Sequence, residues 1–203
     1  MKLVQTKDKS YTFFNEEYQE IYHSQTGALE EAQKKYIEPL GVKDNQVILD
    51  ICFGLGYNTF AAIENAKHLK IIALEKDPKV LEDLQTLDIK GNYNIIKKVA
   101  KDYYYKDDNY EIKLILGPAE ETIKKVKEKF DVVFLDPFAP RNNPELWTEE
   151  FFKEIYSKMK KGAKLATYSC ARKIRDNLKS AGFKVINGPN VGRRGPSTNA
   201  IKE

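Results

Sequence analysis

From Gln46 onward, short apolar runs alternate with stretches of helical periodicity, and few folds accept that order. Val47 to Ile51 is a compact apolar strand, followed by a helical pattern from about Asn58 to Lys67. Lys70 to Leu74 is a second strand, and Pro78 suits the first turn of the helix behind it, through about Gln85. Ile112 to Leu116, Asp131 to Leu135 and Lys164 to Tyr168, the last after a Lys161-Gly162 turn, read as further strands. Helices are expected over Glu120 to Lys129, Thr148 to Met159 and Ala171 to Ser180. Thr148 is an N-cap candidate, and Gly182 closes the last helix. Phe183 to Ile186 and Thr198 to Ile201 end the chain as a strand pair. Parallel strands need helical crossovers, so this order predicts an α/β, Rossmann-like fold: a mostly parallel sheet with a C-terminal antiparallel strand and helices on both faces. Ligands on such sheets bind at the carboxyl ends of the strands.

The segment before Gln46 differs in kind. Lys2 to Gln5 and Tyr11 to Phe14 read as a β-hairpin around a Thr-Lys-Asp-Lys-Ser turn, and helices are expected near Glu16 to Tyr22 and Ala28 to Glu38, the second closed by Pro39 and Gly41. With no repeat or linker in view, the 203 residues read as a single domain, 1–45 an N-terminal extension and 46–203 the core. No apolar run approaches the ~18 residues of a membrane span, and the N-terminus lacks a signal-type apolar stretch. A cytoplasmic protein without a membrane partner is expected. Cys52, Cys170, His23 and His68 are too few and too scattered for a disulfide framework or a metal site. The net charge of +4 is mild; it permits an RNA partner without demanding one.

The strand ends carry the chemistry. The first reads Asp50-Ile51-Cys52-Phe53-Gly54-Leu55-Gly56-Tyr57-Asn58. Gly54 and Gly56 allow a tight turn and close approach of a ligand to the backbone. Thr59 stands where a dinucleotide loop has its third glycine, which argues against a nicotinamide oxidoreductase. The second strand ends in Glu75-Lys76-Asp77, where a carboxylate can accept both ribose hydroxyls of a nucleoside; Glu75 is the first choice and Asp77 competes. Together these features point to S-adenosyl-L-methionine, held by Asp50, Phe53, Gly54, Gly56, Asn58, Glu75 and Lys76. After the third strand, Pro118 stands where an acid usually meets the adenine amine, so Glu120 or a backbone group takes that role. The fourth strand delivers Asp136-Pro137-Phe138-Ala139-Pro140. Asp136 can accept from an amine and also belongs to the cofactor set; Phe138 can stack on a flat ring, with Pro137 beside it toward the substrate. Asp136 and Phe138 are the catalytic candidates. Trp147 reads as core. Arg172, Lys173, Arg193 and Arg194 are candidate phosphate contacts, and Tyr103, Tyr104, Tyr105 and Tyr110 are either base-stacking groups or edge-strand aromatics.

Leu135-Asp136-Pro137-Phe138-Ala139-Pro140 followed by Asn143-Pro144-Glu145-Leu146-Trp147-Thr148 resembles the methyltransferase domain of the MnmC family of tRNA wobble-uridine enzymes. So do Phe53-Gly54-Leu55-Gly56-Tyr57-Asn58, Leu165-Ala166-Thr167-Tyr168-Ser169, Arg175-Asp176-Asn177-Leu178 and Val191-Gly192-Arg193-Arg194. Near the N-terminus, Tyr18, Tyr22-His23-Ser24 and Gly27-Ala28-Leu29-Glu30-Glu31 resemble that family's signature. The resemblance implies methylation of the exocyclic amine of 5-aminomethyl-(2-thio)uridine at the tRNA wobble position, giving 5-methylaminomethyl-(2-thio)uridine. It implies S-adenosyl-L-methionine as cofactor and no metal; bifunctional relatives also carry a flavin oxidoreductase domain, for which 203 residues leave no room, so the stand-alone methyltransferase form without flavin is expected. Its implied partners are the tRNA anticodon region and the oxidoreductase or other wobble-uridine modification enzymes. Cys52 and Pro137 stand where the family has glycine, Asp50 where it has glutamate, and Pro118 where it has an acid. Alternative readings are a methyltransferase acting on another RNA or protein nitrogen, and a non-catalytic nucleoside- or RNA-binding module.

Overall fold

The computed structural model describes residues 1–23, 26–192 and 195–203. Its main sheet has eight strands in the order β10-β11-β9-β8-β4-β5-β7-β6. These are β4 (Val47–Ile51), β5 (Leu69–Glu75), β6 (Tyr104–Lys106), β7 (Tyr110–Leu116), β8 (Phe130–Leu135), β9 (Met159–Thr167), β10 (Lys184–Asn187) and β11 (Thr198–Ile201). β7, β5, β4, β8 and β9 run parallel; β11 lies antiparallel against β9, and β6 antiparallel against β7. The chain steps from β4 to β5 on one side and later returns to place β8 on the other. The switch point therefore falls between the carboxyl ends of β4 and β8, where a crevice opens in sheets of this topology.

Both faces of the central strands are apolar, and their residues alternate between two cores. Ile48, Ile71, Ala73, Val132 and Phe134 join the helices on one face; Leu49, Ile51, Ile72, Leu74, Val133 and Leu135 join those on the other. The first face is covered by α1 (residues 28–40), α2 (Tyr57–Asn65), α3 (Pro78–Asp83) and α4 (Tyr93–Asp102). The second is covered by α5 (Ala119–Lys125), α6 (Glu149–Lys158) and α7 (Arg172–Ser180). Thr148 caps α6 as expected, its hydroxyl accepting from the Phe151 amide at 3.2 Å.

The N-terminal extension departs from expectation in two places. A small antiparallel sheet, β1 (Lys2–Gln5), β2 (Tyr11–Asn15) and β3 (Glu20–Ile21), replaces the helix expected near Glu16 to Tyr22. The Asn15 side chain accepts from the amides of Glu17 and Tyr18 at 3.0 and 3.2 Å, which turns the chain back onto β2. Next, α1 runs through Pro39 instead of stopping there, and Gly41 at φ 65° closes it. Its middle, Ala32–Ile37, widens to π geometry, and Pro39 follows in the last turn, Glu38–Leu40. In the core, α4 and the edge strand β6 were not read from the sequence. The tyrosine cluster is accordingly an edge: Tyr103 caps α4 at φ 59°, and Tyr104 and Tyr105 pair with Lys113 and Ile112 of β7. β9 is longer than expected, because the Lys161-Gly162 turn forms a bulge inside it, between the Phe130–Met159 and Val132–Lys164 pairs. α5 ends early, at Lys125, where Val126 turns extended and buries.

Candidate active site

A cavity of about 300 Å³ opens at the carboxyl ends of β4, β5 and β8. Its first wall is made of backbone. Cys52, Gly54 and Gly56 all take left-handed conformations, at φ 67°, 54° and 74°. A Cβ on Gly56 would lie 2.5 Å from Ile96 and 2.7 Å from the Phe53 ring, so the loop closes this tightly only around glycine. The amides of Cys52 and Phe53 donate to the Leu74 carbonyl at 3.0 and 2.9 Å, tying the loop to β5. Glu75, 8% exposed, then gathers the wall around one carboxylate. Its Oε2 accepts from the Gly54 amide at 2.8 Å, and its Oε1 accepts from Lys76 and Asp77 amides at 2.8 and 2.9 Å. Burial raises the pKa of this carboxyl, against the opposing pull of the three amides. Beneath the loop, Asp50 accepts from the Thr59 hydroxyl at 2.6 Å, while its other oxygen is buried with no partner. Burial pushes the Asp50 carboxyl up to about 7.

The second wall is made of side chains. The Asp136 amide donates to the Ile51 carbonyl at 3.2 Å, placing this residue beside the β4 loop. Asp136 Oδ2 accepts from Asn58 Nδ2 at 3.0 Å. Burial, and then the charge of Glu31, push the Asp136 carboxyl up to about 6, while Asn58 and the Lys35 ammonium pull the other way. Glu31 and Lys35 stand one turn apart on α1 as a buried ion pair. The Tyr36 hydroxyl, also buried, acts on Asp136 by its proximity without completing a hydrogen bond. His23 packs edge-on against Tyr57 at 4.9 Å, and burial pushes its imidazole down to about 4.

The extension closes over this wall. The Phe138 ring lies between those of Tyr18 and Tyr22, with centroids at 5.1 and 4.8 Å. Its carbonyl is held by Trp147 Nε1 at 3.0 Å, and Trp147 sits in the core as expected. Asn142 Nδ2 donates to the Glu20 carboxylate at 2.7 Å and to the Tyr18 carbonyl at 3.1 Å, and the Ala139 amide donates to Glu20 at 3.3 Å. β3 is thereby clasped to the loop after β8.

Gly54, Glu75, Lys76, Glu120, Asp136, Pro137 and Phe138 line the one cavity. Asp50, Gly56 and Asn58 shape it from below. Phe53 differs from expectation: its side chain is 3% exposed and belongs to the core against Gly56, because the left-handed turn points it inward. Asp77 also lines the cavity, while its Oδ1 caps α3 by accepting from the Lys79 amide at 2.8 Å. Arg172 and Lys173 stand outside the cavity, exposed at the start of α7, with Arg172 at 3.7 Å from Asp176. Arg193 and Arg194 lie outside the described residues. Sequence reasoning missed Tyr18, Glu20, Tyr22, His23 and Glu31 as lining residues. The signal was present in the N-terminal resemblance, which named four of these five without assigning them to the site. Among the described residues, no group of three or more His, Cys, Asp or Glu side chains is placed to hold a metal ion, and no helix is long and apolar enough to cross a membrane.

Residues 83–203 match the model of a family described as S-adenosyl-L-methionine-dependent methyltransferase. The chain also superposes on the crystal structure of MnmC2 from Aquifex aeolicus with a TM-score of 0.85 and 31% identity, covering 98% of this chain and 70% of that one. This chain belongs to the MnmC methyltransferase-domain family. An MnmC relative from Leptospira interrogans, named tRNA 5-methylaminomethyl-2-thiouridine biosynthesis bifunctional protein, is 27% identical over 93% of this chain and 33% of its own. An uncharacterized protein of Methanocaldococcus jannaschii, MJ0670, is 38% identical over 98% of this chain and 59% of its own. The chain thus spans less than two thirds of the length of these curated relatives. Spermidine synthase from Thermotoga maritima shares the fold, at a TM-score of 0.62 and 17% identity. S-adenosyl-L-methionine is the cofactor of the MnmC methyltransferase-domain protein described here. The site suits it: a glycine turn that a side chain would obstruct, and a carboxylate fixed by three amides at the second strand end.

Proposed function

We propose that this protein methylates the exocyclic amine of 5-aminomethyl-(2-thio)uridine at the tRNA wobble position, giving 5-methylaminomethyl-(2-thio)uridine. The observation that carries the reading is Asp136. Its carboxylate opens into the same cavity as Glu75, on the opposite wall, beside the rings of Phe138, Tyr18 and Tyr22. In this reading Glu75 accepts from ribose hydroxyls, Gly54 and Gly56 give the backbone room beside the methionine part, and Lys76 and Glu120 border the nucleoside. Asp50 supports the loop from below, and Asn58 reaches across to fix Asp136. S-adenosyl-L-methionine supplies the methyl group on a sulfonium: the N–C bond forms as the C–S bond breaks, and its electron pair stays on sulfur.

Asp136 accepts an N–H of the amine and so aims its lone pair, and holding both reactants in line is the largest contribution expected. The aromatic wall takes the uracil ring. Phe138 is wedged between two tyrosines, so the stacking surface is the three-ring cluster, with Pro137 at its edge. Arg172 and Lys173, with Arg193 and Arg194, are assigned to tRNA phosphates. The family match and the MnmC name of a relative support a tRNA substrate, and the reading places the protein in the cytoplasm, as one domain. The test is mass spectrometry of nucleosides from tRNA bearing 5-aminomethyl-uridine, incubated with the protein and methyl-labelled cofactor. The expected product is labelled 5-methylaminomethyl-uridine; label on any other nucleoside, or on none, overturns the reading.

A further inference from the structure

Lys35 is 1% exposed in the middle of α1, paired with Glu31. A buried ion pair rarely stabilises a fold by itself, because desolvating two charges offsets most of their attraction. Position offers another reason for it. Glu31 lines the cavity with Asp136 and His23, and no other charge acts on Asp136 as strongly as that of Glu31. The helix that carries the pair is the one that widens to π geometry at Ala32–Ile37, a distortion frequent at functional sites. It seats the Tyr36 ring edge-on against Phe134 of β8, at 5.8 Å, two residues before Asp136.

We propose that Glu31 and Asp136 together form an ammonium site, in which Glu31 is a positioning residue that makes Asp136 the proton acceptor for the substrate amine. The inference rests on the amine-methylating reading above and deepens it. An alkyl amine is a strong base and arrives protonated at neutral pH. Among the described residues, seven carboxylate side chains and one ammonium, that of Lys76, line the cavity, which leaves it short of positive charge. His23 does not supply it, since its imidazole is neutral above about 4. An entering ammonium does, and the rings of Tyr22 and Phe138 favour a cation on its way in, that of Tyr18 being already under the Lys76 ammonium at 5.2 Å. Its N–H donates to the Asp136 carboxylate and the proton crosses that bond, leaving a neutral amine with a free lone pair and a neutral acid. After methyl transfer the acid returns its proton to water, so one proton leaves for each methyl gained. An ordinary aspartate is a weak base for this step; burial and a like charge nearby strengthen it.

Among the described residues, the titratable groups that act on Asp136 are Glu31, Lys35 and Tyr36 from α1, with Asp50 and Cys52 from β4 and its loop, beside its hydrogen bond from Asn58. Asp50 titrates higher, at about 7, and the Cys52 thiol is pushed up by burial, so neither carries a full charge where Asp136 titrates. Glu31 and Lys35 shift Asp136 in opposite directions, which gives the test its sign.

The experiment is kcat/KM for methylation of 5-aminomethyl-uridine tRNA across pH, together with affinity for that tRNA against the same tRNA with plain uridine. Activity should rise with pH as Asp136 loses its proton, with a limb near 6 in the wild type. Glu31→Gln should move that limb down by about one pH unit and lower kcat/KM about tenfold at neutral pH. It should also erase the preference for amine-bearing tRNA. Lys35→Met should move the limb upward. If Glu31→Gln does not fold, the double variant Glu31→Gln/Lys35→Met, which leaves no lone buried charge, carries the affinity test. A folded Glu31-substituted variant that keeps both the limb and the preference overturns the role of Glu31. A wild-type protein that does not methylate this tRNA overturns the parent reading instead.

Discussion

The two walls of the cavity are built by different means. The Glu75 wall is backbone: three amides on one carboxylate, and a glycine turn tied to β5 by two more hydrogen bonds. The Asp136 wall is side chain: a carboxylate held by Asn58, flanked by a buried ion pair from α1 and roofed by tyrosines from the extension. Backbone walls are cheap to specify, since two glycines and an acid at fixed strand ends suffice. Side-chain walls need groups from distant parts of the chain, as Asn58, Glu31 and the tyrosines of the extension show here. The difference fits a division of labour, with one wall binding a constant ligand and the other setting which nucleophile is accepted.

The largest expected effect breaks the second wall. Asp136→Ala should keep affinity for S-adenosyl-L-methionine and lower turnover by about 100-fold or more, because it removes both orientation and the proton acceptor. Calorimetry with the cofactor and single-turnover methylation on the same preparation check this. The competing view, that Asp136 only braces its turn through Asn58, predicts a lower melting temperature with turnover falling only as folding does. A well-folded variant with near-normal turnover would return Asp136 to a structural role.

How much of each wall was legible follows from the same contrast. Gly54, Gly56 and Glu75 stand out in the sequence because their spacing is that of one βαβ unit, and the structure sets Gly54 and Glu75 2.8 Å apart. Asp136 was legible for the same reason, at the end of a four-residue apolar run, Val132 to Leu135. Its neighbours were not. Glu31 and Lys35 look like an ordinary surface pair on a helix, and nothing local tells that α1 packs them inward. Tyr18 and Glu20 fall where helical periodicity was expected, yet Asn15 turns the chain into β3. α4 was hidden by lysines on its outer face, although Tyr93, Ile96 and Val99 follow one buried stripe. Long-range packing decides Tyr18, Glu20, Glu31 and Lys35, and it leaves no periodic trace at their own positions, whereas the α4 stripe was there to be read.

The first wall gives an intermediate effect. Glu75→Ala should weaken S-adenosyl-L-methionine binding by about 10- to 100-fold, the worth of one charge-assisted hydrogen bond at 1.5–3 kcal/mol. It should also lower the melting temperature, since three amides lose their acceptor. Glu75→Gln retains one acceptor oxygen and should separate the two effects, with a smaller loss of stability. Neither change should alter the pH limb assigned to Asp136. A Glu75→Ala protein with unchanged cofactor affinity would make this wall merely structural.

The smallest effect tests whether the roof belongs to the second wall at all. Glu20 is the link: it accepts from Asn142 and from the Ala139 amide, joining β3 to the loop that carries Phe138. The clasp is part-buried, so its loss should cost stability no more than about 1 kcal/mol. Its hydrogen bonds among the described residues run to Asn142 and Ala139 and not to the Glu75 wall, so cofactor affinity should stay the same in Glu20→Ala. What should change is the acceptor: with Tyr18 and Phe138 no longer held in register, KM for the tRNA should rise about threefold, while kcat at saturation falls less, because Asp136 keeps its bond to Asn58. Steady-state methylation over a range of tRNA concentrations separates the two constants. An equal fall in kcat with KM unmoved would mean that the extension acts on the chemistry itself, and the roof would then have to be counted with Asp136 and not with the substrate ring.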